Sequence, residues 1–474
     1  MFAKKIKELP KVDPVKIKPL FGMKPGLWLT IAYILALLLI IFLIGVLPDI
    51  IDAHKRVTFT SDSGTVAVYL DDVYQGGTPF TRKIKSGTYQ VSYRLNGYEI
   101  DSFSLKVGMP VFFNWLFPRT QAVSSSATIN EKAFDAVSLE LLEKANAYSA
   151  ILEYDSVHRY PGIFTKYADN VANSPYRTSG DAFEAASLFI TTDEMLEDFE
   201  NAASIIGINL LPIYKTLDQN GTTGVQDSET PVLKASKTSL KTEWFTIEGF
   251  TIPEADFSNG KTVKATFPEI MEAGKAVHTD TFNIGSYLIT EAQFQQFITM
   301  NPQWNKDNKA ELMAQGLVDE YYLSGVDFSS GTANRPVINI SWYAANAFCK
   351  WLSEATGKSV TMPSENQWMA ACLADTEGGY QKSLMLSAAE KAPASLLGGL
   401  WDMTSTRFIP LSRIAADSQV EKAVEVLDRY GANTDMVVKG GSYVNDQSEI
   451  SMYTTGLTSR SFCSAFIGFR IAWN

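Results

Sequence analysis

The chain has 474 residues, of which 46% are hydrophobic and 20% charged, a composition typical of globular rather than disordered proteins. Its net charge of −11 is uneven, because residues 1–26 hold seven lysines against two acidic residues and the remainder carries −16. An acidic main body argues against a nucleic-acid partner, since that affinity depends largely on neutralising phosphates.

An uncharged segment of 21 residues, LWLTIAYILALLLIIFLIGVL at residues 27–47, follows the basic tail. About 20 apolar residues suffice for a helix to span the hydrocarbon core of a bilayer. The segment predicts a transmembrane helix at residues 27–47, acting as an uncleaved signal anchor. A cleaved signal peptide, whose apolar region is usually only ~7–15 residues long, and a buried helix are the alternatives.

The lysines predict the orientation of this helix. Short loops rich in Lys and Arg stay on the cytoplasmic side, and the seven lysines outnumber Lys55 and Arg56 on the other flank. Residues 1–26 are therefore predicted to form a basic cytoplasmic tail, and the chain beyond residue 50 to lie outside the cytoplasm. The membrane, contacted through residues 27–47, is the first predicted partner.

Residues 57–118 are predicted to form a small all-β domain. Thr65–Asp72 alternates between apolar and polar residues, and two more alternating runs flank the turn signal Asn96-Gly97. Met109–Phe117 is apolar but too short to span a bilayer. It is predicted to be a packed strand, with a patch resting on the membrane surface as the alternative.

The same region resembles the PEGA domain, a β module of bacterial envelope proteins. The similar segments are VAVYLDD, GGTPF, KIKSGTYQVSY and NGYE, although the name-giving tetrapeptide is reduced to Gly64. The resemblance implies a sandwich-like interaction module without catalysis. It also favours a single-pass protein of the bacterial cytoplasmic (inner) membrane, with an extracytoplasmic C-terminal region.

Residues 129–215 are predicted to be a helical segment. Apolar residues recur there at steps of three and four, at Phe134, Val137, Leu141, Ala145, Tyr148 and Leu152. A later helix is predicted to start at a capping box of Thr191 and Glu194 and to end at Gly207. The segment is either a spacer or a packing layer, and the polar residues 216–240 are predicted to be a linker.

Residues 241–474 are predicted to form a domain of mixed α and β structure. PVINI at residues 336–340 predicts a strand, and Ser341 is expected to cap a helix that ends at Gly357. Ser364 and Gln367 repeat the device as a capping box. The whole chain is thus predicted to be an α+β multidomain protein.

This region resembles the formylglycine-generating enzyme, or sulfatase-modifying factor, family. The segments that carry the resemblance are Phe282–Ile298, Arg335–Ala371, Gly398–Ser405, Lys439–Tyr443 and Gly468–Trp473. The resemblance implies a compact fold similar to C-type lectins. It also implies structural roles for Trp368, Asp402, Gly440, Gly441 and Arg470.

Active members of that family oxidise a substrate cysteine with a copper ion held by two cysteines, in the pattern G-G-S-[YW]-x-C-x-x-x-x-C. In this sequence the two cysteine positions hold Asn445 and Ile450. Cuprous copper prefers thiolates, so neither residue suits it. The resemblance therefore implies a pseudoenzyme with no catalytic residues and no copper.

Other residues with metal chemistry do not restore a site. The chain has three cysteines, Cys349, Cys372 and Cys463, which match no zinc spacing and are interpreted as packing residues. Thr406 and Ile409 stand where the family has the asparagine and glutamate of a calcium site. No metal or cofactor is expected. The family's arginine-rich stretch has become SMYTTGLTS, which puts substrate binding in doubt.

The sequence thus predicts a membrane-anchored, extracytoplasmic binding or scaffold protein with a non-catalytic domain and a protein or cell-envelope glycan partner. A groove for that partner is predicted to be bordered by Trp401, Ser442, Asn445, Asp446 and Tyr453, with loop packing as the alternative reading of these residues. Two other functions stay open: a divergent oxidase acting on an exported protein, and a structural subunit of an envelope assembly. The sequence does not indicate an oligomeric state.

Overall fold

The structure is a computed structural model that describes residues 18–110, 113–151, 159–209, 231–260, 273–328, 334–374, 396–446, 448 and 450–474. The chain folds into two compact units, residues 1–133 and 134–474. Most of the predicted helical segment therefore shares one unit with the predicted C-terminal domain.

The first unit begins with two helices, α1 (Pro25–Gly45) and α2 (Leu47–Asp52). The predicted transmembrane helix at residues 27–47 is α1, which starts two residues earlier because proline is well suited to the first helical turn. The span Pro25–Asp52 contains a window with a mean hydropathy of 3.0, and by length and composition it could cross a membrane. Such a helix near the N-terminus suits a membrane anchor and also a signal sequence.

The rest of the first unit is a β structure of two sheets. Its strands are β1 (His54–Ser61), β2 (Ala67–Leu70), β3 (Val73–Gly77), β4 (Phe80–Lys85), β5 (Gly87–Leu95), β6 (Tyr98–Val107) and β7 (Thr120–Ser125). The sheet orders are β4-β1-β7 and β3-β2-β5-β6, and β1 and β7 are parallel. As predicted, Asn96 and Gly97, with φ of 48° and 85°, form the two-residue turn between β5 and β6.

Two predictions for this unit are wrong. The β domain does not end at residue 118, because β7 lies beyond it and pairs with β1 from Arg56–Thr120 to Ser61–Ser125. Within the predicted strand Met109–Phe117, residues 109–110 and 113–117 are not in a strand, and residues 111–112 lie outside the described residues. Residues 113–117 make a turn instead, because Phe113 has a left-handed φ of 57° and its N–H bonds to a helix carbonyl rather than to a strand.

The helical segment contains α3 (Glu131–Ser149), α4 (Ile163–Val171), α5 (Asp181–Ser187) and α6 (Asp193–Ile206). The predicted cap of α6 is displaced by one residue, since Thr192 accepts the Met195 N–H at 3.3 Å. Thr191 is buried and donates to the Ser149 carbonyl at 3.0 Å, so it cannot serve as the cap. The helix ends at Gly207 as predicted.

The remaining helices and strands of the second unit follow in chain order. The helices are α7 (Glu291–Met300), α8 (Lys309–Ala314), α9 (Trp342–Thr356), α10 (Glu365–Ala374) and α11 (Asp417–Tyr430), with 3-10 turns at Pro302–Trp304, Lys306–Asn308 and Pro410–Arg413. The strands are β8 (Ser236–Lys241), β9 (Thr246–Ile252), β10 (Ala255–Ser258), β11 (Ala276–Thr279), β12 (Phe282–Gly285), β13 (Val360–Thr361), β14 (Trp401–Arg407), β15 (Met436–Lys439), β16 (Thr455–Thr458), β17 (Ile467–Gly468) and β18 (Ala472–Trp473). Their sheet orders are β13-β18-β12-β9-β8, β16-β15-β14-β17 and β10-β11.

The helical segment is a packing layer of this unit rather than a spacer. The Leu411 N–H donates to the Leu188 carbonyl at 3.1 Å, just after α5. On the surface, Lys422 of α11 forms an ion pair of 2.7 Å with Glu184 of α5. Backbone and side-chain contacts therefore both join the helices to the predicted C-terminal domain.

Local predictions near the centre of this unit have mixed outcomes. Ser341 accepts the Ala344 N–H at 3.1 Å, and α9 ends at Gly357 as predicted. The capping box of Ser364 and Gln367 is also formed, with bonds of 2.9 and 3.1 Å. The strand predicted at residues 336–340 is wrong, since only Pro336 makes a β-bridge.

The predicted linker at residues 216–240 is also inaccurate at its end, because β8 starts at Ser236 and pairs with β9. Residues 216–230 of that range lie outside the described residues, as do residues 210–215 of the predicted helical segment.

Candidate functional site

The twin-glycine turn after β15 is the centre of the candidate site. Gly440 and Gly441 have φ of 91° and 68°, a region that glycine adopts without strain. A Cβ on Gly440 would lie 2.2 Å from the Leu396 carbonyl oxygen and 2.8 Å from the Trp368 ring. Backbone on one side and a buried ring on the other therefore exclude a side chain here.

Asn445 and Ile450, the residues that the resemblance aligns with the copper cysteines, lie against this turn. The Asn445 Oδ1 accepts the Ser442 N–H at 2.8 Å and the Ser442 hydroxyl at 3.0 Å. The Ile450 side chain lies over Gly441, where its Cδ1 would be 2.6 Å from an added Cβ. These residues do not fit copper, because the amide oxygen already accepts two hydrogen bonds and isoleucine has no donor atom.

The cysteines are placed elsewhere. Cys349 of α9 and Cys463 are buried, and burial raises the pKa of both thiols, which disfavours the thiolate that binds metals. Cys372 of α10 is half-buried and packs against an apolar core. In the part of the chain that the structure describes, no group of three or more His, Cys, Asp or Glu residues is placed to hold a metal ion.

Thr406 and Ile409, the residues that the resemblance aligns with the family's calcium site, also have contacts within the protein. The Thr406 hydroxyl oxygen accepts the Glu365 N–H at 2.8 Å, at the first turn of α10. Ile409 is buried and has no oxygen in its side chain. A calcium ion needs several oxygen ligands, so these two residues do not fit it.

A cluster of buried charges lies below the twin-glycine turn. The Glu365 Oε1 accepts from Arg413 at 2.6 Å and from Lys439 at 3.3 Å, and both cations also donate to the Thr455 hydroxyl. Burial opposes the ionisation of Glu365, yet Arg413 and Lys439 lower its pKa below the usual value. Burial lowers the pKa of Lys439, and Glu365 opposes that shift. This cluster was not predicted from the sequence.

A second buried group confirms the structural roles that the resemblance implied. The Asp402 Oδ2 accepts from the Trp368 Nε1 at 2.8 Å and from the Arg470 Nε at 2.9 Å. All three residues are buried, and burial raises the pKa of Asp402 while Arg470 opposes that shift. The group joins α10, β14 and the segment before β18.

The residues of the predicted groove do not form one open face. Ser442 is fully buried, so it is unavailable to a large ligand, and Asn445 folds back on it. Asp446 is exposed and accepts the Ser448 N–H at 2.9 Å. Trp401 and Tyr453 are half-buried against different apolar cores.

A different surface, which we call the aromatic patch, consists of Trp401, Tyr443, Val444 and Phe466. The Trp401 N–H donates to the Phe466 carbonyl at 2.9 Å, and the Tyr443 and Phe466 rings are 5.8 Å apart. Val444 and Phe466 are 61% and 40% exposed. Sequence reasoning missed Tyr443, Val444 and Phe466. The available signal was their position in or close to the family segments Lys439–Tyr443 and Gly468–Trp473.

The family resemblance is supported by comparison with known proteins. Residues 246–397 match the family model described as "Sulfatase-modifying factor enzyme 1-like domain". This range includes α9 and α10 and ends before Asn445 and Ile450.

One relative is a protein of Borreliella burgdorferi that carries only the name "Uncharacterized protein". It is 22% identical over 405 residues, which cover 75% of this chain and 78% of the relative.

Similar solved structures include PvdO from Pseudomonas aeruginosa, with a TM-score of 0.34 and 15% identity over 50% of this chain and 98% of that one. Treponema denticola variable protein 1 has a TM-score of 0.33 and 12% identity over 50% of this chain and 98% of that one. The structure of CarF has a TM-score of 0.30 and 15% identity over 48% of this chain and 97% of that one.

Proposed function

We propose that this chain, whose residues 246–397 are a sulfatase-modifying factor enzyme 1-like domain, is a membrane-anchored binding protein that does not perform copper-dependent oxidation. One observation carries the proposal. Asn445 and Ile450, at the positions of the copper cysteines, are both used to close the turn at Gly441 and Ser442. The scaffold of the family is kept, and the side chains of its reaction are replaced by packing.

The anchor in this proposal is α1, retained as a signal anchor in the bacterial cytoplasmic membrane. Its N-terminal lysines favour a cytoplasmic tail, with the β unit and the second unit outside the cytoplasm. The β unit acts as a PEGA-like interaction module. The second unit, with a fold similar to C-type lectins, presents the binding surface.

The proposed binding surface is the aromatic patch, and the proposed partner is a polypeptide. Aromatic side chains are enriched in protein interfaces because they bury a large apolar area at little entropic cost. The exposed Val444 and Phe466 would be covered by a partner. Phe466 is held in place by contact with the Tyr443 ring and by the hydrogen bond from the Trp401 N–H. Enzymes of the family also act on polypeptides, which favours this class of partner over a cell-envelope glycan.

Copper binding tests the non-catalytic role. The full chain in detergent is titrated with Cu(I) beside the double variant Asn445→Cys, Ile450→Cys, and both are assayed with a cysteine-containing peptide. We expect the natural chain to bind no stoichiometric copper, and the double variant to gain copper binding because both side chains meet the same turn. Stoichiometric copper with peptide oxidation by the natural chain would establish a divergent oxidase instead.

Photo-crosslinking tests the binding surface. The photoreactive residue p-benzoylphenylalanine is placed at Val444 in living cells, with Met300 at the end of α7 as the matched exposed control. We expect a protein adduct from position 444 and none from position 300. An adduct that carries sugar rather than protein would assign a glycan partner, and the lack of any adduct at position 444 would contradict the proposed surface.

A further inference from the structure

The turn at residues 113–117 is built onto the C-terminal end of α1. The Phe113 N–H donates to the Gly45 carbonyl at 2.6 Å, and the Trp115 Nε1 donates to the Ile44 carbonyl at 2.8 Å. The last carbonyls of a helix have no partner within it and need one from elsewhere. Gly45 also leaves room for the Phe113 ring, which an added Cβ would meet at 2.9 Å. The turn thus caps the apolar helix.

A buried carboxylate holds the same turn from the other side. Asp49 of α2 is 2% exposed and accepts the Asn114 N–H at 2.7 Å and the Trp115 N–H at 3.0 Å. The Phe117 N–H closes the turn on the Phe113 carbonyl at 2.8 Å. The position of the turn relative to α1 and α2 is therefore fixed by several independent hydrogen bonds.

The outer side of this turn is apolar. Trp115, Leu116 and Phe117 are all more than half exposed, and Phe117 reaches 69%. In α2, Ile50 and Ile51 are exposed as well, Ile51 to 75%. Tryptophan and other amphipathic rings concentrate where a membrane-spanning helix leaves the hydrocarbon core, which is the place that the turn has on α1.

Basic residues surround the point where the chain leaves α2. β1 starts at His54 and pairs with the end of β4. This pairing brings four basic residues together at that end of the sheet: Lys55, Arg56, Lys83 and Lys85. Arg119 precedes β7, whose first residue pairs with Arg56. Basic groups close to an anionic lipid surface are attracted to it and strengthen membrane attachment.

We infer that residues 113–117, here named the interfacial turn, lie together with α2 in the headgroup region of an anionic phospholipid bilayer. The inference rests on the proposed anchoring role of α1. It assigns the exposed apolar side chains to lipid, and the basic residues beside them to lipid phosphates. The β unit is then attached to the membrane by a second contact besides the spanning helix.

Photo-crosslinking to lipid tests this inference. The full chain, with p-benzoylphenylalanine at Phe117, is embedded in nanodiscs of phosphatidylethanolamine and phosphatidylglycerol and irradiated, and lipid adducts are measured by mass spectrometry. Thr60 is the control position, because it is exposed and lies six residues along β1 from His54, about 20 Å at ~3.3 Å per residue. We expect at least a tenfold higher yield of lipid adduct at position 117 than at position 60.

The possible outcomes distinguish a failure of the proposed anchor from a failure of the proposed interfacial turn. A chain that is released from membranes by alkaline carbonate would overturn the proposed anchor and the inference with it. A chain that stays in the membrane but gives no adduct at position 117, or equal adducts at both positions, would overturn the interfacial turn alone. A second variant, Leu116→p-benzoylphenylalanine, gives the same readout if the first one misfolds.

Discussion

Two regions of the second unit differ in how far they keep the residues of the family pattern. In the buried region, Trp368, Asp402 and Arg470 are kept and joined by hydrogen bonds of 2.8 and 2.9 Å. In the loop after the twin glycines, the two cysteine positions have become Asn445 and Ile450. Removing the partner of a buried charge is strongly destabilising, whereas replacing an exposed side chain usually changes stability little. Burial therefore preserves the scaffold, independently of chemistry.

The largest effect is expected from Glu365→Ala. The change leaves Arg413 and Lys439 buried without their carboxylate, and breaking a buried ion pair costs about 3–5 kcal/mol. Urea unfolding of the full chain, followed by near-ultraviolet circular dichroism, measures the loss. The exposed Glu354 of α9 is the control, and Glu354→Ala is expected to change the free energy of unfolding by less than about 0.5 kcal/mol. Equal losses in both variants would show that the buried cluster is dispensable.

An intermediate effect is expected from Gly440→Ala. The new Cβ meets the Leu396 carbonyl, which belongs to the backbone, so we expect a loss of about 3 kcal/mol in the free energy of unfolding. Gly441→Ala has a similar φ but meets only the end of the Ile450 side chain, so its loss should be smaller. Adding Ile450→Ala should restore part of the stability of Gly441→Ala only. Equal losses in the two single variants would contradict this account of the turn.

The smallest effect is expected from Asn445→Ala, which removes the two hydrogen bonds from Ser442. A typical hydrogen bond contributes about 1 kcal/mol, so the midpoint of urea unfolding should fall measurably. Val444→Ala, next to it and exposed, should stay within about 0.5 kcal/mol of the natural chain. An Asn445→Ala variant as stable as the natural chain would remove the evidence that this residue was recruited for packing.

Features set by neighbouring residues were predictable from the sequence. The bounds of α9 and the capping box of α10 depend on side chains that bond to backbone three residues away, a distance that sequence patterns reveal. The family resemblance was predictable for another reason: the order of its segments along the chain is specific. Asp402, Trp368 and Arg470 were correctly assigned structural roles on that basis.

Features set by distant residues were not predictable. Lys439 is the last residue of the apolar strand β15, but its burial depends on Glu365, which lies 74 residues earlier. The run Met109–Phe117 looks like a strand by composition, yet Asp49, 65 residues before Asn114, holds residues 113–117 as a turn. In the candidate site, the sequence singled out Asn445 and Ile450 but could not show that Asn445 bonds to Ser442 and that Ile450 packs on Gly441.

The parallel pairing of β1 and β7 has a mechanical consequence. If α1 is held in a membrane and a partner pulls on the chain beyond Ser125, the two strands are pulled from opposite ends. Because Arg56–Ser61 runs in the same direction as Thr120–Ser125, the force acts along the strands and loads all of their hydrogen bonds at once. Strands loaded in this shearing geometry resist separation better than strands that are peeled apart bond by bond. With α1 held in this way, tension on the chain beyond Ser125 would be carried by the pairing of β1 with β7.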